Sequence, residues 1–100
     1  MIRHVVLFGF QEYDGKSAKE NAETAKELLL GLADKIDLLR RIEVGVNADN
    51  ADEKNETLCL ICDFDTLEDL NSYAVHPEHL KVCEFIKNVK KTRTCVDYEI

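Results

Sequence analysis

The sequence predicts an α+β fold built on one four-stranded antiparallel sheet with helices on one face. Two observations carry that expectation. Four segments alternate with the period of a strand, and two longer segments repeat with the period of a helix. Their order along the chain is strand, helix, strand, strand, helical pair, strand. A chain of 100 residues has room for one domain, 1–100, and at this length folding removes only about two-thirds of the unfolded surface from water.

The first strand is residues 2–10. Ile2, His4, Val6, Phe8 and Phe10 share one face; Arg3, Val5, Leu7 and Gly9 share the other. Both faces are largely apolar, as in a strand covered on two sides. Ser17-Ala18-Lys19-Glu20 then forms a capping box, the serine hydroxyl accepting from the Glu20 amide while Glu20 reaches back. Behind it Ala18, Ala22, Ala25, Leu28, Leu29 and Leu32 recur at helical spacing, and the helix ends near 31–34. Residues 34–39 make a short turn or helical extension.

Arg41 to Asn47 alternates strictly, with Ile42, Val44 and Val46 inward. Residues 48–56 are polar and acidic and read as a loop. Thr57 to Phe64 gives the third strand, with Leu58, Leu60, Cys62 and Phe64 on one face and Cys59 and Ile61 on the other. Thr66 caps a second helix that carries Leu67, Leu70, Tyr73 and Ala74 inward. Pro77 breaks it and opens a third, whose apolar stripe is Leu80, Cys83, Phe85, Ile86 and Val89. Thr92 to Ile100 closes the chain as a strand, Thr94, Val96 and Tyr98 on one face and Arg93, Cys95 and Asp97 on the other.

This βαββαβ order is the ferredoxin-like plan. Helices on one face leave the other bare, yet Val5, Leu7, Cys59 and Ile61 point that way. A homodimer joined through its sheet faces, a dimeric α+β barrel, covers them.

Composition excludes several functions. The net charge is −7, from 13 basic and 20 acidic residues, and there is no basic stripe for a phosphate backbone, so nucleic acid is not an expected partner. The one basic cluster, Lys87, Lys90, Lys91 and Arg93, reads as a solvated helix end. No segment approaches the ~18 apolar residues of a membrane span, and the N-terminal run has no signal-peptide pattern. The expected compartment is the cytosol, where Cys59, Cys62, Cys83 and Cys95 stay thiols. Cys59 and Cys62 point to opposite faces of a strand, so they do not form a redox pair.

The chemistry concentrates in Tyr73-Ala74-Val75-His76-Pro77-Glu78-His79, which holds two of the three histidines. His79 lies in the first turn after Pro77, where helix amides and the dipole disfavour an imidazolium. A neutral imidazole there can act as a general base on a carbon between carbonyls. Its structural alternative is a ring that ties the helix start to a nearby carbonyl. Tyr73 stands six residues earlier across the proline break, able to polarise a carbonyl or simply to fill core. His4 shares the parity of Val6 and Phe8, which makes all three candidates for one pocket wall. His76 is a further candidate ligand contact, with a helix cap as its alternative. His79 and Cys83, four apart on one helical face with His76 or His4 nearby, have metal-ligand spacing, but Cys83 stands where the helix needs an apolar residue. No metal and no cofactor is expected.

Ile2-Arg3-His4-Val5-Val6-Leu7-Phe8, Asp63-Phe64-Asp65-Thr66-Leu67-Glu68-Asp69-Leu70 with Tyr73, His76-Pro77-Glu78-His79-Leu80 and Val96-Asp97-Tyr98-Glu99 resemble the Dabb family, the stress-responsive dimeric α/β-barrel domains. The likeness covers nearly the whole chain in order, and it implies a dimeric barrel. Its plant branch of olivetolic-acid-forming polyketide cyclases implies more. The second histidine of His-Pro-x-His is the base there, a tyrosine assists at the carbonyl and the strand-one histidine lies nearby, which match His79, Tyr73 and His4. Residues 21–40 and 80–90 depart from that branch's pocket lining. The expectation is a homodimer binding a small apolar or aromatic carbonyl compound, with cofactor-free cyclase or isomerase chemistry. The alternatives are a non-catalytic stress-associated binding dimer, in which Phe85 and Leu28 fill the space around His79, and a cofactor-free monooxygenase.

Overall fold

The computed structural model describes residues 1–100, all of them placed. In chain order the elements are β1 (Ile2–Phe10), α1 (Ala18–Leu30), a 3₁₀ turn (Gly31–Asp34), β2 (Arg41–Val46), β3 (Leu58–Phe64), α2 (Leu67–Ala74), α3 (Pro77–Val89) and β4 (Lys90–Glu99). The sheet order is β2-β3-β1-β4 with every pair antiparallel. This is the ferredoxin-like α+β arrangement that the element order predicts.

Alternation in the strands sets the core. Ile2, Val6, Phe8 and Phe10 of β1 and Leu58, Leu60, Cys62 and Phe64 of β3 are buried together under the helices. The capping box of α1 is complete, Ser17 Oγ accepting from the Glu20 amide and Glu20 Oε1 accepting from the Ser17 amide. Burial of apolar stripe against sheet is what keeps such short helices formed.

Several inward assignments move. On α1, Leu28 is 40% exposed, while the polar Asn21 is buried, its Nδ2 donating to the Gln11 carbonyl. On α2, Leu67 faces outward and only Leu70 and Tyr73 are buried, since eight residues present a single narrow stripe. On α3 the core stripe is Val82, Ile86 and Val89; Leu80 is half exposed, and Cys83 and Phe85 are partly buried beside the stripe. Ile36 and Leu39, in the segment expected as a short turn or helical extension, are core residues. The last strand begins at Lys90, directly after α3, so no loop intervenes.

The outer sheet face is open in the single chain. Val5 pairs with Ile61 and Val96, Leu7 with Cys59 and Thr94, and Arg3 with Tyr98. Leu7, Val96 and Tyr98 are all more than a third exposed. At one end of this face Arg3 Nε and Nη2 donate to Asp63 Oδ1 and Oδ2 at 2.8 and 2.9 Å, a two-pronged pair that satisfies an almost fully buried carboxylate.

Candidate functional site

A cavity of about 780 Å³ opens between the inner sheet face and α2 and α3. It is the right size for a drug-sized ligand. His4, Val6 and Phe8 of β1, Tyr73 of α2 and His79 of α3 all line it. Neither Leu28 nor Phe85 does, so the side chains expected to close the space around His79 lie elsewhere.

The break between α2 and α3 creates the pairing of Tyr73 with His79. Only Val75 and His76 separate the two helices. The second helix restarts abruptly because Pro77 is pre-set for a first helical position and His76 caps it. The His76 ring accepts from the Glu78 amide through Nδ1 at 3.1 Å. His76 therefore holds the turn and does not line the cavity, which corrects its place among the ligand contacts. The result brings the rings of Tyr73 and His79 to 4.3 Å between centroids, with Phe64 4.9 Å behind Tyr73.

His79 Nδ1 lies 3.0 Å from the Ala74 carbonyl oxygen. A carbonyl only accepts, so Nδ1 carries the proton and Nε2 keeps its lone pair. Burial, more than any neighbouring charge, pulls the His79 imidazole below its ordinary pKa; His4, Arg93 and His76 push the same way, and the Ala74 carbonyl opposes them. Desolvation, rather than the helix dipole, is the main cause of this lowering.

Tyr73 is 1% exposed, and its hydroxyl has no hydrogen-bond partner. Its polar neighbour is the Cys62 thiol, and each group shifts the ionisation of the other. Burial raises the phenol pKa strongly, so this is a neutral donor whose polar neighbour is a thiol. A buried hydroxyl without a hydrogen-bond acceptor is costly in a folded protein.

His4 is held from the other side. Its Nδ1 lies 2.5 Å from Asp97 Oδ1 on the neighbouring strand, where the two residues are register partners. The carboxylate accepts the Nδ1 proton, again leaving Nε2 free. Asp97 escaped the sequence reading because nothing in β4 says which parity faces the helices; the pairing with His4 decides it.

Two groups have metal-ligand character. Cys95 Sγ lies 3.5 Å from both His4 Nδ1 and Asp97 Oδ1. Ligand atoms around a tetrahedral ion stand about 3.3 Å apart, so the His4–Asp97 contact as it stands is a hydrogen bond with no space for an ion. Cys83 Sγ is 3.6 Å from both nitrogens of His79, and a sulfur equidistant from both lies along the lone pair of neither. All four cysteines are free thiols, and burial holds Cys62 up to about 12.

The cluster expected as a solvated helix end is partly in the site: Lys87, Lys90 and Arg93 line the cavity, and only Lys91 stands away from it. The sequence shows these as helix-end charges; it does not show that α3 runs straight into β4 and turns them inward.

Fold and cavity together place the chain among the ferredoxin-like α+β barrels. It belongs to the stress-responsive A/B barrel domain family, whose model matches residues 2–100. A dimeric protein of unknown function from Bacteroides fragilis is 33% identical, with a TM-score of 0.85 over 99% of this chain and 95% of that one. A dimeric ferredoxin-like protein from Thermobifida fusca is 23% identical, TM-score 0.81, over 99% and 90%. The hydroxynitrile lyase of Passiflora edulis shares the fold at 14% identity, TM-score 0.76, over 99% and 92%. No curated protein matches. No helix of this chain is long and apolar enough to cross a membrane.

Proposed function

We propose that the chain is a single-domain cytosolic homodimer, joined through its sheet faces, that binds a small apolar or aromatic carbonyl compound and moves a proton on it without a cofactor. The chemistry is of the cyclase or isomerase type. His79 Nε2 takes a proton from a carbon beside a carbonyl; Tyr73 donates to that carbonyl oxygen as charge develops on it; His4, steadied by Asp97, stands on the opposite wall with a free Nε2 to return or relay the proton. Val6 and Phe8 pack against the apolar body.

The observation that carries this reading is the ring pair in the cavity wall: Tyr73 and His79 stand 4.3 Å apart, centroid to centroid, and the Ala74 carbonyl holds His79 Nδ1 so that Nε2 is free. A phenol and an imidazole with a free Nε2 lone pair, side by side, are the two halves of an enolising site. A purely structural tyrosine would be expected to satisfy its hydroxyl.

The test is deuterium incorporation at the benzylic carbon of phenylacetone in heavy water, followed by proton NMR. The wild type is expected to speed exchange over buffer. His79→Ala should return it to the buffer rate, a loss of about 10²–10⁴ for a general base, with folding retained. Tyr73→Phe should cost about 10²–10³. Binding of aryl ketones without any acceleration would instead make the protein a non-catalytic binding dimer.

A further inference from the structure

The charges around the cavity mouth are the reverse of the chain's own. The sequence has 20 acidic residues to 13 basic, yet the lining holds Lys81, Lys87, Lys90 and Arg93 against a single acid, Glu84. Lys81 is occupied, 3.4 Å from Glu78. Lys87, Lys90 and Arg93 have no carboxylate within ion-pair distance, although the chain carries seven more acids than bases. Chance alone would give such a patch acidic company.

Topology gathers these three. Lys87 is in the last turn of α3, Lys90 is both the cap of that helix and the first residue of β4, and Arg93 is the register partner of Phe8, itself a cavity wall. Lys90 is half-buried. The positive charge at a helix C-terminus also complements the dipole, which accounts for one lysine there but not for an arginine on the next strand turned to the same cavity. Deeper in, the walls are Val6, Phe8, Leu60 and Leu70, with Tyr73 and His79 alongside.

We infer that the ligand is a small amphipathic anion, its carboxylate or phosphate head held by Lys87, Lys90 and Arg93 and its apolar body lying against Phe8 and Leu70. This rests on the small-molecule reading above and names its substrate class. Three cations at the mouth steer an anion inward in a protein whose net charge would otherwise repel it. They also orient it: the head stays at the α3–β4 junction, and the body reaches Tyr73 and His79. Arg93 lies near enough to His79 to disfavour its protonation, so a bound anion there would relieve that effect.

The experiment is calorimetric binding of four probes with one C8 chain: octanoate, octyl phosphate, octanol and octylammonium. Octanoate or octyl phosphate, whichever head fits, should bind about tenfold more tightly than octanol at low salt, about 1.4 kcal/mol. The preference should shrink in high salt as the mouth is screened. In the Lys87→Gln/Lys90→Gln/Arg93→Gln variant the anion should bind no better than octanol does. Salt dependence in the wild type supplies the same answer should that variant fold poorly. Octanol or octylammonium binding as tightly as both anions would overturn the charge inference and leave the cavity reading standing. Failure of all four to bind would overturn both.

Discussion

The ring of His79 stands 4.3 Å from that of Tyr73, centroid to centroid, with the planes tilted 39°. Neither residue reaches the other by its own helix. Tyr73 ends α2 facing inward, His79 is in the first turn of α3, and the two-residue break closed by His76 and Pro77 folds one onto the other. The backbone amide of His76 also donates to the Tyr73 carbonyl, so the turn is tied at the residue that matters. A short kink thus brings together the rings of two residues on different helices.

Tyr73→Phe should leave stability unchanged or raise it slightly, because the lost hydroxyl has no partner in the folded chain. Leaving a buried polar group unsatisfied costs about 1–3 kcal/mol, and the substitution removes that cost while keeping the ring against Phe64. Thermal unfolding with the exchange assay separates the two roles: an unchanged or higher Tm with slower exchange supports a hydroxyl kept for ligand. A clear drop in Tm would mean that the hydroxyl serves the fold.

The pH dependence of stability follows from His79. Burial holds its folded pKa below the ordinary 6.5, so between those two values the unfolded chain binds more protons than the folded one. Stability therefore rises with pH across that window. Its contribution is complete above the ordinary value and is lost as pH falls through the folded one. His79→Gln should flatten this limb in denaturant midpoints measured at intervals from about pH 7.5 down to about pH 5. The steeper fall at more acid pH, where Asp63 loses its pairing with Arg3, should remain in that variant.

Dimerisation is tested on the bare sheet face. Val5, Leu7, Val96 and Tyr98 form an apolar patch on paired strands, and proteins seldom leave such a patch in water. Wild-type protein should run at the mass of two chains in light-scattering chromatography. Val96→Lys, a position 55% exposed in the single chain, should shift it to one chain while the far-UV spectrum stays the same. A monomeric wild type would leave the face to some other partner.

How legible all this was differs by level. Period-two alternation located every strand, and Ser17, Thr66 and Pro77 located the helix starts, because those signals are local and made by one or two residues. The cavity wall of His4, Val6 and Phe8 was legible for the same reason, since parity alone puts them on one face. Asp97, Lys90 and Arg93 were not. Their place depends on which face of β4 turns toward α3, and only pairing with β1 fixes that. Leu28 and Leu67 misled because helical spacing marks an apolar stripe without saying how a helix is rotated against the sheet.

The three histidines are expected to show two different tautomers, which gives the site a spectroscopic signature that needs no substrate. His79 donates from Nδ1 to a carbonyl and His4 from Nδ1 to a carboxylate, so both should be Nδ1-protonated when neutral. His76 accepts at Nδ1 from the Glu78 amide, so its proton must sit on Nε2. Nitrogen-15 shifts of the imidazoles, recorded above the ordinary histidine pKa, distinguish the forms directly. Asp97→Asn should disturb the His4 signals and leave those of His79 in place, because the two rings are oriented by separate partners. Finding His79 protonated at Nε2 would remove the free lone pair that its role as base requires, and with it the proton-transfer reading of this cavity.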